Sequence, residues 1–403
     1  MPSAASSAAS SAASVDIAAF GNHLPVRIRF GEGVADTLPA VLAEAGSSRP
    51  FVMLDEGIET FNAPVAALLA LLDATDGITA TRFGKPAGEP TLDMVNDAIA
   101  ALIAADCDCV VAIGGGSVID TAKAARLCGE RGITFTEFLA SDRTYPAPSM
   151  PLVALPTSAG TGSEVSGGAV VSDPAAGRKA GIANANLRAQ YALVDPRLTY
   201  SMPPSMTANT GIDALAQAIA GMVAKCRTPI GDAIAIEAIA MMGRSLVLAY
   251  RDGSNTAARS EMSCASMMAG LTMNISDCTA EHSLGQAIGG LKHVPHGLTI
   301  GLVLAETLER ERAHVPAQLE RVADALGEPD DGSGDGSRAV RAVTRILREL
   351  DFPVLSSLGV TDDDLDTLAD AALDDFFITM APAPWSRDEV LTAFGTALAL
   401  ASR

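Results

Sequence analysis

Apolar and polar positions follow two different rhythms along the first half of the chain. Short apolar runs that stop at glycine, proline or aspartate predict buried strands, and longer stretches with apolar residues three and four positions apart predict helices. The predicted strands are 51–54, 79–83, 110–113 and 152–155, and the predicted helices are 64–72, 91–105 and 118–127. Strands and helices in this order are typical of a parallel sheet with helices on both faces.

From about Pro203 onward, strand signals become few and the helical spacing of apolar residues continues to the end of the chain. The predicted helices are Thr207–Ala224, Pro229–Arg244, Ala257–Met273, Cys278–Ile288, Ile300–Ala313, Ala317–Ala325, Ser337–Leu350, Asp362–Leu373 and Arg387–Ala401. A segment rich in glycine and aspartate, 328–336, predicts a flexible surface connection. The chain therefore divides into an α/β half and an all-helical half, with a cleft between them.

The composition is that of a globular protein with room for two domains. The chain has 403 residues, of which 48% are apolar and 19% are charged. Its formal net charge of −20 argues against nucleic acid or an anionic membrane as a partner. Uninterrupted apolar stretches stay below the roughly 18 residues that a membrane-spanning helix needs.

The cysteines and the N-terminal segment indicate the compartment. Six cysteines are present without a Cys-x-x-Cys pair, which predicts reduced thiols in a cytoplasmic protein. Residues 1–14 are almost only alanine and serine and lack the basic region and long apolar core of a secretory signal. We expect residues 1–15 to form a disordered tail.

Three consecutive glycines mark the most informative point of the α/β half. Gly114, Gly115 and Gly116 end an apolar run and precede a helical pattern, so a strand turns into a helix with no side chains at the corner. The free N–H groups and the positive end of that helix favour a phosphate, and a dinucleotide is the first candidate ligand. The spacing matches neither Gly-x-Gly-x-x-Gly nor a Walker loop, and a plain tight turn is the alternative.

Polar residues at other strand ends extend this site. Asp55 follows the first predicted strand, and Pro156 and Thr157 follow the last. In parallel sheets, ligands lie beyond the carboxyl ends of the strands. We therefore expect Asp55, the glycine corner and Thr157 to meet at one crevice.

A second group of residues suggests a metal site. Of the five histidines, His282, His293 and His296 fall within fifteen residues, while Asp213 and Gln217 lie four apart on one helical face. An aspartate and two histidines can bind a divalent metal and leave a position open for substrate. The alternative, that Asp213 begins a helix and His296 lies in a turn, stays open at this point.

The order of the motifs resembles that of the iron-containing (group III) alcohol dehydrogenase family, from about residue 20 to the C-terminus. The matching segments are Phe30–Gly33, Gly114–Asp120, Pro156–Glu164, Asp195–Pro196, Gly211–Leu215, and His282 through Pro295–Gly297. The resemblance implies a dehydroquinate synthase-like fold, with an N-terminal α/β dinucleotide-binding domain and an all-α C-terminal domain. We place these domains at 16–203 and 204–403.

The resemblance also implies the metal ligands. By it, Asp213, His282 and His296 bind the metal, while Gln217 and Gln286 stand where the common pattern has two further histidines. Gln217 either binds through its carbonyl oxygen or holds a water, and Gln286 is a candidate catalytic residue of the substrate pocket. Three strong ligands suffice in relatives similar to glycerol dehydrogenase, so Fe²⁺, Zn²⁺ and Mn²⁺ all remain open. A degenerate site without metal is the alternative.

For the cofactor, the resemblance implies NAD(H). Asp55 would take up the adenine-ribose hydroxyls and repel a 2′-phosphate, which favours NAD(H) over NADP(H). The pyrophosphate would lie against Gly115, Gly116 and Ser117. Further candidate cofactor-binding residues are Asp120, Thr157, Ser158, Thr161, Ser166 and Lys179, the last of which follows a predicted hairpin turn at 172–177.

The implied activity is the interconversion of a small alcohol and its aldehyde or ketone. The cofactor carries the hydride chemistry and the metal acts as a Lewis acid. Gln286 cannot titrate, so proton transfer falls to His293 or to water and the ribose hydroxyl. Lys292 and the two glutamines suggest a polar or anionic aldehyde. The alternatives are a maleylacetate reductase-like enzyme for a carboxylated or phosphonated oxo compound, a dehydroquinate synthase-like lyase, and a non-catalytic nucleotide-binding protein. We expect a homo-oligomer, most simply a dimer.

Overall fold

A computed structural model describes residues 19–141, 145–173 and 178–401. The predicted tail at 1–15 and the tip of the predicted hairpin, 174–177, lie outside the described residues. Eight strands and fourteen α-helices make up the described part of the chain. The strands all precede Pro203, and the longest helices follow it.

Six parallel strands form the main sheet. Their bounds are β1 Arg27–Phe30, β2 Pro50–Asp55, β3 Thr81–Lys85, β4 Cys109–Gly114, β5 Leu152–Pro156 and β8 Tyr191–Val194. The order across the sheet is β1-β8-β5-β4-β2-β3. The apolar-run pattern located β2, β4 and β5 but missed β1 and β8, because each has only four residues and β1 is a partly exposed edge strand with two arginines.

A separate antiparallel pair, β6 (Gly168–Asp173) and β7 (Arg178–Ala183), follows the main sheet. The predicted strand at 79–83 is wrong by two residues, because β3 runs from Thr81 to Lys85 in register with β2. This shift matters for the site, since it places Lys85 directly beside Asp55.

Helices cover both faces of the sheet, which confirms the predicted α/β organisation. Their bounds are α1 Leu38–Glu44, α2 Ala63–Asp73, α3 Leu92–Ala104, α4 Gly116–Gly129 and α5 Phe135–Leu139. Asn62 and Thr91 cap α2 and α3, because each side-chain oxygen accepts a hydrogen bond from a backbone N–H three residues on. Two apolar clusters lie on opposite faces of the same strands, as alternating side chains require.

The second half is helical throughout its described length. Its α-helices are α6 Pro204–Val223, α7 Pro229–Arg251, α8 Thr256–Ser276, α9 Ala280–Lys292, α10 His296–Glu311, α11 Pro316–Ala325, α12 Ser337–Glu349, α13 Leu365–Asp374 and α14 Arg387–Ala399. The largest difference from the pattern is at α7, which ends at Arg251 rather than Arg244, and α10 begins at His296 rather than Ile300. Pro295 precedes the first turn there, and Gly297 continues it.

The helix α7 has the length and apolar composition of a membrane span, with a mean hydropathy of 1.5 over 18 residues. It packs against α6 and α8 and contributes to the apolar core of the helical half. The core helices of globular proteins have the same composition.

Candidate functional site

Three helices bring Asp213, His282 and His296 together, although they are far apart in sequence. Asp213 lies in the middle of α6, His282 in the first turn of α9 and His296 at the start of α10. The Asp213 Oδ1 atom lies 3.5 Å from His282 Nε2 and 3.7 Å from His296 Nε2. One potential ligand atom from each residue lies within 4.8 Å of the other two, which is the spacing of a metal cluster.

Two buried atoms of this cluster, and one of Gln217, lack the partners that buried groups normally have. Asp213 Oδ1, His282 Nε2 and Gln217 Oε1 are buried and have no hydrogen-bond partner among the described residues. Buried polar atoms in folded proteins are nearly always hydrogen-bonded, so several that converge indicate a missing ligand. The donor set of one carboxylate, two imidazoles and one amide oxygen fits a divalent cation.

The charges in the cluster also favour a cation. Burial raises the pKa of Asp213, but His296, His282 and Gln217 outweigh it and hold that pKa below its ordinary value. For His282, burial lowers the pKa, while Cys278, Asp213 and Glu281 together hold it well above its ordinary value. The folded protein therefore stabilises positive charge beside an ionised Asp213.

Close helix contact explains how the sequence builds this cluster. A Cβ atom added at Gly297 would lie 2.1 Å from the backbone oxygen of Asn209 and 3.2 Å from the Cβ atom of Asp213. Because position 297 has no side chain, the first turn of α10 reaches the backbone of α6. His296 is thereby brought to Asp213.

Gln286 and His293 occupy different surroundings. Gln286 is half-buried one turn after His282 in α9. His293 caps the C-terminus of α9 in the left-handed conformation, with φ 54°, and its side chain is exposed. The structure places neither among the atoms of the metal cluster, and their catalytic roles stay predictions.

An aromatic residue between α13 and α14 faces the cluster. The ring of Phe377 lies edge-on to His282, with centroids 5.8 Å apart. The Ser283 hydroxyl donates a hydrogen bond to Asp375 Oδ1 at 2.6 Å, and the Phe377 N–H donates to the same oxygen at 2.9 Å. These two bonds fix Phe377 beside the histidine.

The glycine corner lies at the carboxyl end of the sheet, as predicted. Asp55, Gly114 and Pro156 end three neighbouring strands, and the Thr157 N–H donates to the Gly114 oxygen at 3.0 Å. Gly115 precedes α4 without a side-chain cap, so the N–H groups of the first turn are open to a ligand.

The glycine corner packs closely against the loop after β5. A Cβ atom at Gly116 would lie 2.7 Å from Thr161 Oγ1, and one at Gly115 would lie 3.3 Å from Ser158 Oγ. The Ser117 hydroxyl donates to the Gly88 oxygen at 2.9 Å. The predicted cofactor residues of both segments therefore do lie together.

Asp55 lies beside a lysine that the motif analysis missed. The Lys85 side chain is fully buried, and its ammonium lies 3.9 Å from Asp55 Oδ1. It donates hydrogen bonds to the oxygens of Pro86 and Gly88 at 2.6 and 2.8 Å. Burial raises the pKa of Asp55, whereas Lys85 and the Gly115 N–H lower it. The sequence pattern ended the neighbouring strand at residue 83, and the register of the two strands places Lys85 beside Asp55.

The side chains of Asp120 and Ser166 form hydrogen bonds with other residues of the chain. Asp120 Oδ1 accepts from the Ser163 hydroxyl at 2.5 Å, and Oδ2 accepts from the Val170 N–H at 2.9 Å. The buried Lys123 ammonium donates to Ser163 Oγ at 2.7 Å and to Ser166 Oγ at 3.3 Å. These contacts hold the 163–170 segment against α4, and direct cofactor contacts by Asp120 and Ser166 stay predictions. Lys179 lies in β7, but its side chain is outside the described residues.

Glu164 is a buried carboxyl group that the sequence motif contained but did not single out. Its side chain is 3% exposed, and burial raises its pKa to about 7, against the smaller opposing effects of its own N–H and Lys123. The unfolded chain would release this proton near pH 4.5. The contribution of Glu164 to stability is therefore fully present below about pH 4.5 and is lost as the pH rises through about 7.

Replacing Glu164 with glutamine is expected to remove this pH dependence. Between pH 4.5 and 8, the free energy of unfolding of the wild type should fall relative to the variant by up to about 3 kcal/mol, because ionisation of the buried carboxyl is costly. Urea unfolding at a series of pH values measures the difference. Parallel pH profiles for the two proteins would contradict the assignment.

Comparisons with known proteins agree with this geometry. The model of the iron-containing alcohol dehydrogenases matches residues 25–196, and that of the Fe-containing alcohol dehydrogenase C-terminal domain matches residues 207–398. The chain is 35% identical to the probable alcohol dehydrogenase EutG of Escherichia coli, over 87% of this chain and 88% of that protein. It is 32% identical to the choline dehydrogenase of Bacillus subtilis, over 88% and 89%.

Solved structures of oxidoreductases have the same fold as this chain. The crystal structure of a 1,3-propanediol oxidoreductase matches with a TM-score of 0.88 and 28% identity, over 94% of this chain and all (100%) of that one. The sulfoacetaldehyde reductase from Bifidobacterium kashiwanohense, in complex with NAD⁺, matches with a TM-score of 0.86 and 27% identity, over 95% and 99%.

Proposed function

This chain belongs to the iron-containing alcohol dehydrogenase family, and on that premise we propose that Asp213, His282 and His296 hold the divalent cation of an NAD(H)-dependent alcohol dehydrogenase. The enzyme interconverts a small alcohol and its aldehyde or ketone. The observation that carries the assignment of residues is the convergence of Asp213, His282 and His296 from three helices, with the buried Asp213 Oδ1 and His282 Nε2 atoms unpartnered among the described residues.

A bound divalent cation supplies Lewis-acid polarisation of the substrate oxygen, and the nicotinamide supplies hydride transfer. The chain's own residues orient these groups. Gly115 and Gly116 offer backbone N–H groups at the start of α4 for the pyrophosphate, and Asp55 accepts from the ribose hydroxyls. Phe377 forms an apolar wall beside His282 that limits the size of the substrate and excludes water.

For the substrate, we propose a small uncharged alcohol or aldehyde. The Lys292 ammonium lies 2.9 Å from the Gly359 oxygen and 3.3 Å from Asp364 Oδ2, so its charge is already compensated. Among the described residues, the rings of His296 and Phe377 lie next to His282. The Phe377 ring favours a substrate with an alkyl chain. A charged oxo substrate is the second candidate, since one structural neighbour is a sulfoacetaldehyde reductase.

The test measures NADH oxidation with propanal and with a sulfonated aldehyde, before and after a chelator. We expect propanal to be reduced faster, activity to fall after chelation, and Fe²⁺ or Zn²⁺ to restore it. Faster turnover of the sulfonated aldehyde would favour the second candidate. NADH binding without turnover of any aldehyde in the metal-loaded protein would indicate a nucleotide-binding protein without catalysis.

Asp55 provides a separate prediction about the cofactor. Replacing Asp55 with asparagine removes the negative charge that a 2′-phosphate meets, so the ratio of the Kd for NADPH to that for NADH should fall by about tenfold or more. Fluorescence titration with both nucleotides measures this ratio. An unchanged ratio would show that Asp55 does not contact the adenine ribose.

The proposal also covers the identity of the metal, the cellular compartment and the oligomeric state. The amide at position 217 leaves Zn²⁺ and Mn²⁺ open beside Fe²⁺, because an amide oxygen is a harder ligand than imidazole. We further propose a cytoplasmic homodimer, and the six unpaired cysteines support the reducing compartment. Elemental analysis and sedimentation measure the metal and the assembly.

A further inference from the structure

Glu281 is a buried carboxylate directly beside the proposed metal site, and none of the motifs singled it out. Its side chain is 3% exposed and precedes His282 in the first turn of α9. Glu281 Oε1 lies 2.8 Å from His282 Nδ1. A buried carboxylate without a function would be costly, so its contacts indicate what it does.

Two groups of Thr279 fix the orientation of this carboxylate. The Thr279 N–H donates to Glu281 Oε1 at 3.1 Å, and the Thr279 hydroxyl donates to Oε2. Each carboxylate oxygen of Glu281 thus accepts a hydrogen bond from Thr279, in addition to the contact of Oε1 with His282. Glu281 is held in one position, with Oε1 directed at the imidazole ring.

The contact selects one tautomer of His282. The Glu281 oxygens accept both Thr279 bonds, and Oε1 accepts from His282 as well, so Nδ1 carries the proton and Nε2 keeps its lone pair. That Nε2 atom is the buried, unpartnered one that faces Asp213 at 3.5 Å. Carboxylate–histidine–metal arrangements of this kind orient the ring and raise the basicity of the ligand.

We propose that Glu281 is a positioning residue that fixes His282 in the tautomer and orientation needed to bind the metal. The inference rests on the proposed function, since it presupposes the cation at Asp213, His282 and His296. Cys278 also lies near this pair, but the 2.8 Å contact of His282 Nδ1 is with Glu281 Oε1. The carboxylate is therefore the acceptor that acts on His282 Nδ1.

The test compares Glu281→Gln with Glu311→Gln in the full chain. The glutamine amide at position 281 can donate to Nδ1 and so favour the tautomer with a proton on Nε2. Glu311 is the matched control: it is a fully buried glutamate near Glu281 in the same helical half, and burial, with Glu281 second, raises its pKa well above the ordinary value.

We expect Glu281→Gln to weaken Zn²⁺ binding by about 10- to 100-fold in a competition titration. The visible spectrum of the Co²⁺-loaded variant should also change, whereas NADH binding should stay at the wild-type level. Glu311→Gln should leave the Zn²⁺ affinity and the Co²⁺ spectrum unchanged.

Each outcome has a distinct meaning. Equal Zn²⁺ affinities and identical Co²⁺ spectra for Glu281→Gln and the wild type would overturn the positioning role. If the wild type itself binds neither Zn²⁺ nor Co²⁺, the proposed function fails and the positioning role fails with it. A loss of metal affinity in both variants, with lower melting temperatures, would show a general packing defect and contradict the specific role of Glu281.

Discussion

Replacing Asp213 with alanine is expected to lower kcat/KM for alcohol oxidation by about a thousandfold or more, a loss of roughly 4 kcal/mol of transition-state stabilisation. Asp213 Oδ1 lies within 4 Å of both histidine Nε2 atoms. Without it, two imidazoles remain, and one of the groups that favour positive charge at His282 is lost. The variant should contain no bound metal after dialysis and should still bind NADH.

The control for this prediction is Asp232→Ala. Asp232 is also a buried aspartate of the helical half, but its carboxylate pairs with Arg227 at 2.7 Å and Arg321 at 3.1 Å, away from the cluster. This change should lower the melting temperature and keep the metal content. Metal content and kcat/KM at wild-type levels in Asp213→Ala would contradict the assignment of the site.

Gly297→Ala is expected to have the second large effect, although it adds only one methyl group. The new Cβ atom would lie 2.1 Å from the Asn209 oxygen and 2.7 Å from its carbonyl carbon. Both are backbone atoms inside α6, so a side-chain rotation cannot relieve the contact. The start of α10 must move away from α6, and His296 moves with it.

We expect this variant to lose about 1–3 kcal/mol of folding stability, and its metal affinity should fall along with its activity. Urea unfolding and a Zn²⁺ titration measure the two losses. Gly395→Ala is the matched control, because a Cβ atom there meets nothing within 4 Å on α14. That change should raise stability by about 0.5–1 kcal/mol through helix propensity. Wild-type metal affinity in Gly297→Ala would show that the contact does not position His296.

The sequence predicted most of the fold because its two halves have different periodicities. The buried strands β2, β4 and β5 are continuous apolar runs, and a run of that kind is easy to detect. The edge strand β1 has neither the length nor the burial that produces such a run. Its place in the sheet depends on pairing with β8, which is a contact between residues about 160 positions apart.

The candidate site was predictable where motifs carry fixed chemistry. Asp213, His282 and His296 came from residue type and order, and the glycine corner came from the absence of side chains after a strand. Glu281 and Lys85 were missed, because each depends on tertiary contacts that no sequence spacing reveals. Glu281 acts through Nδ1 of a neighbouring histidine, and Lys85 faces Asp55 only after the register of two strands is known.

Anomalous diffraction from crystals grown with Zn²⁺ or Fe²⁺ tests the central claim most directly. We predict one strong peak about 2.0–2.3 Å from an Asp213 oxygen, His282 Nε2 and His296 Nε2, with Gln217 Oε1 or a water completing the coordination. A peak at other residues, or the absence of a peak at these three under saturating metal, would contradict the assignment.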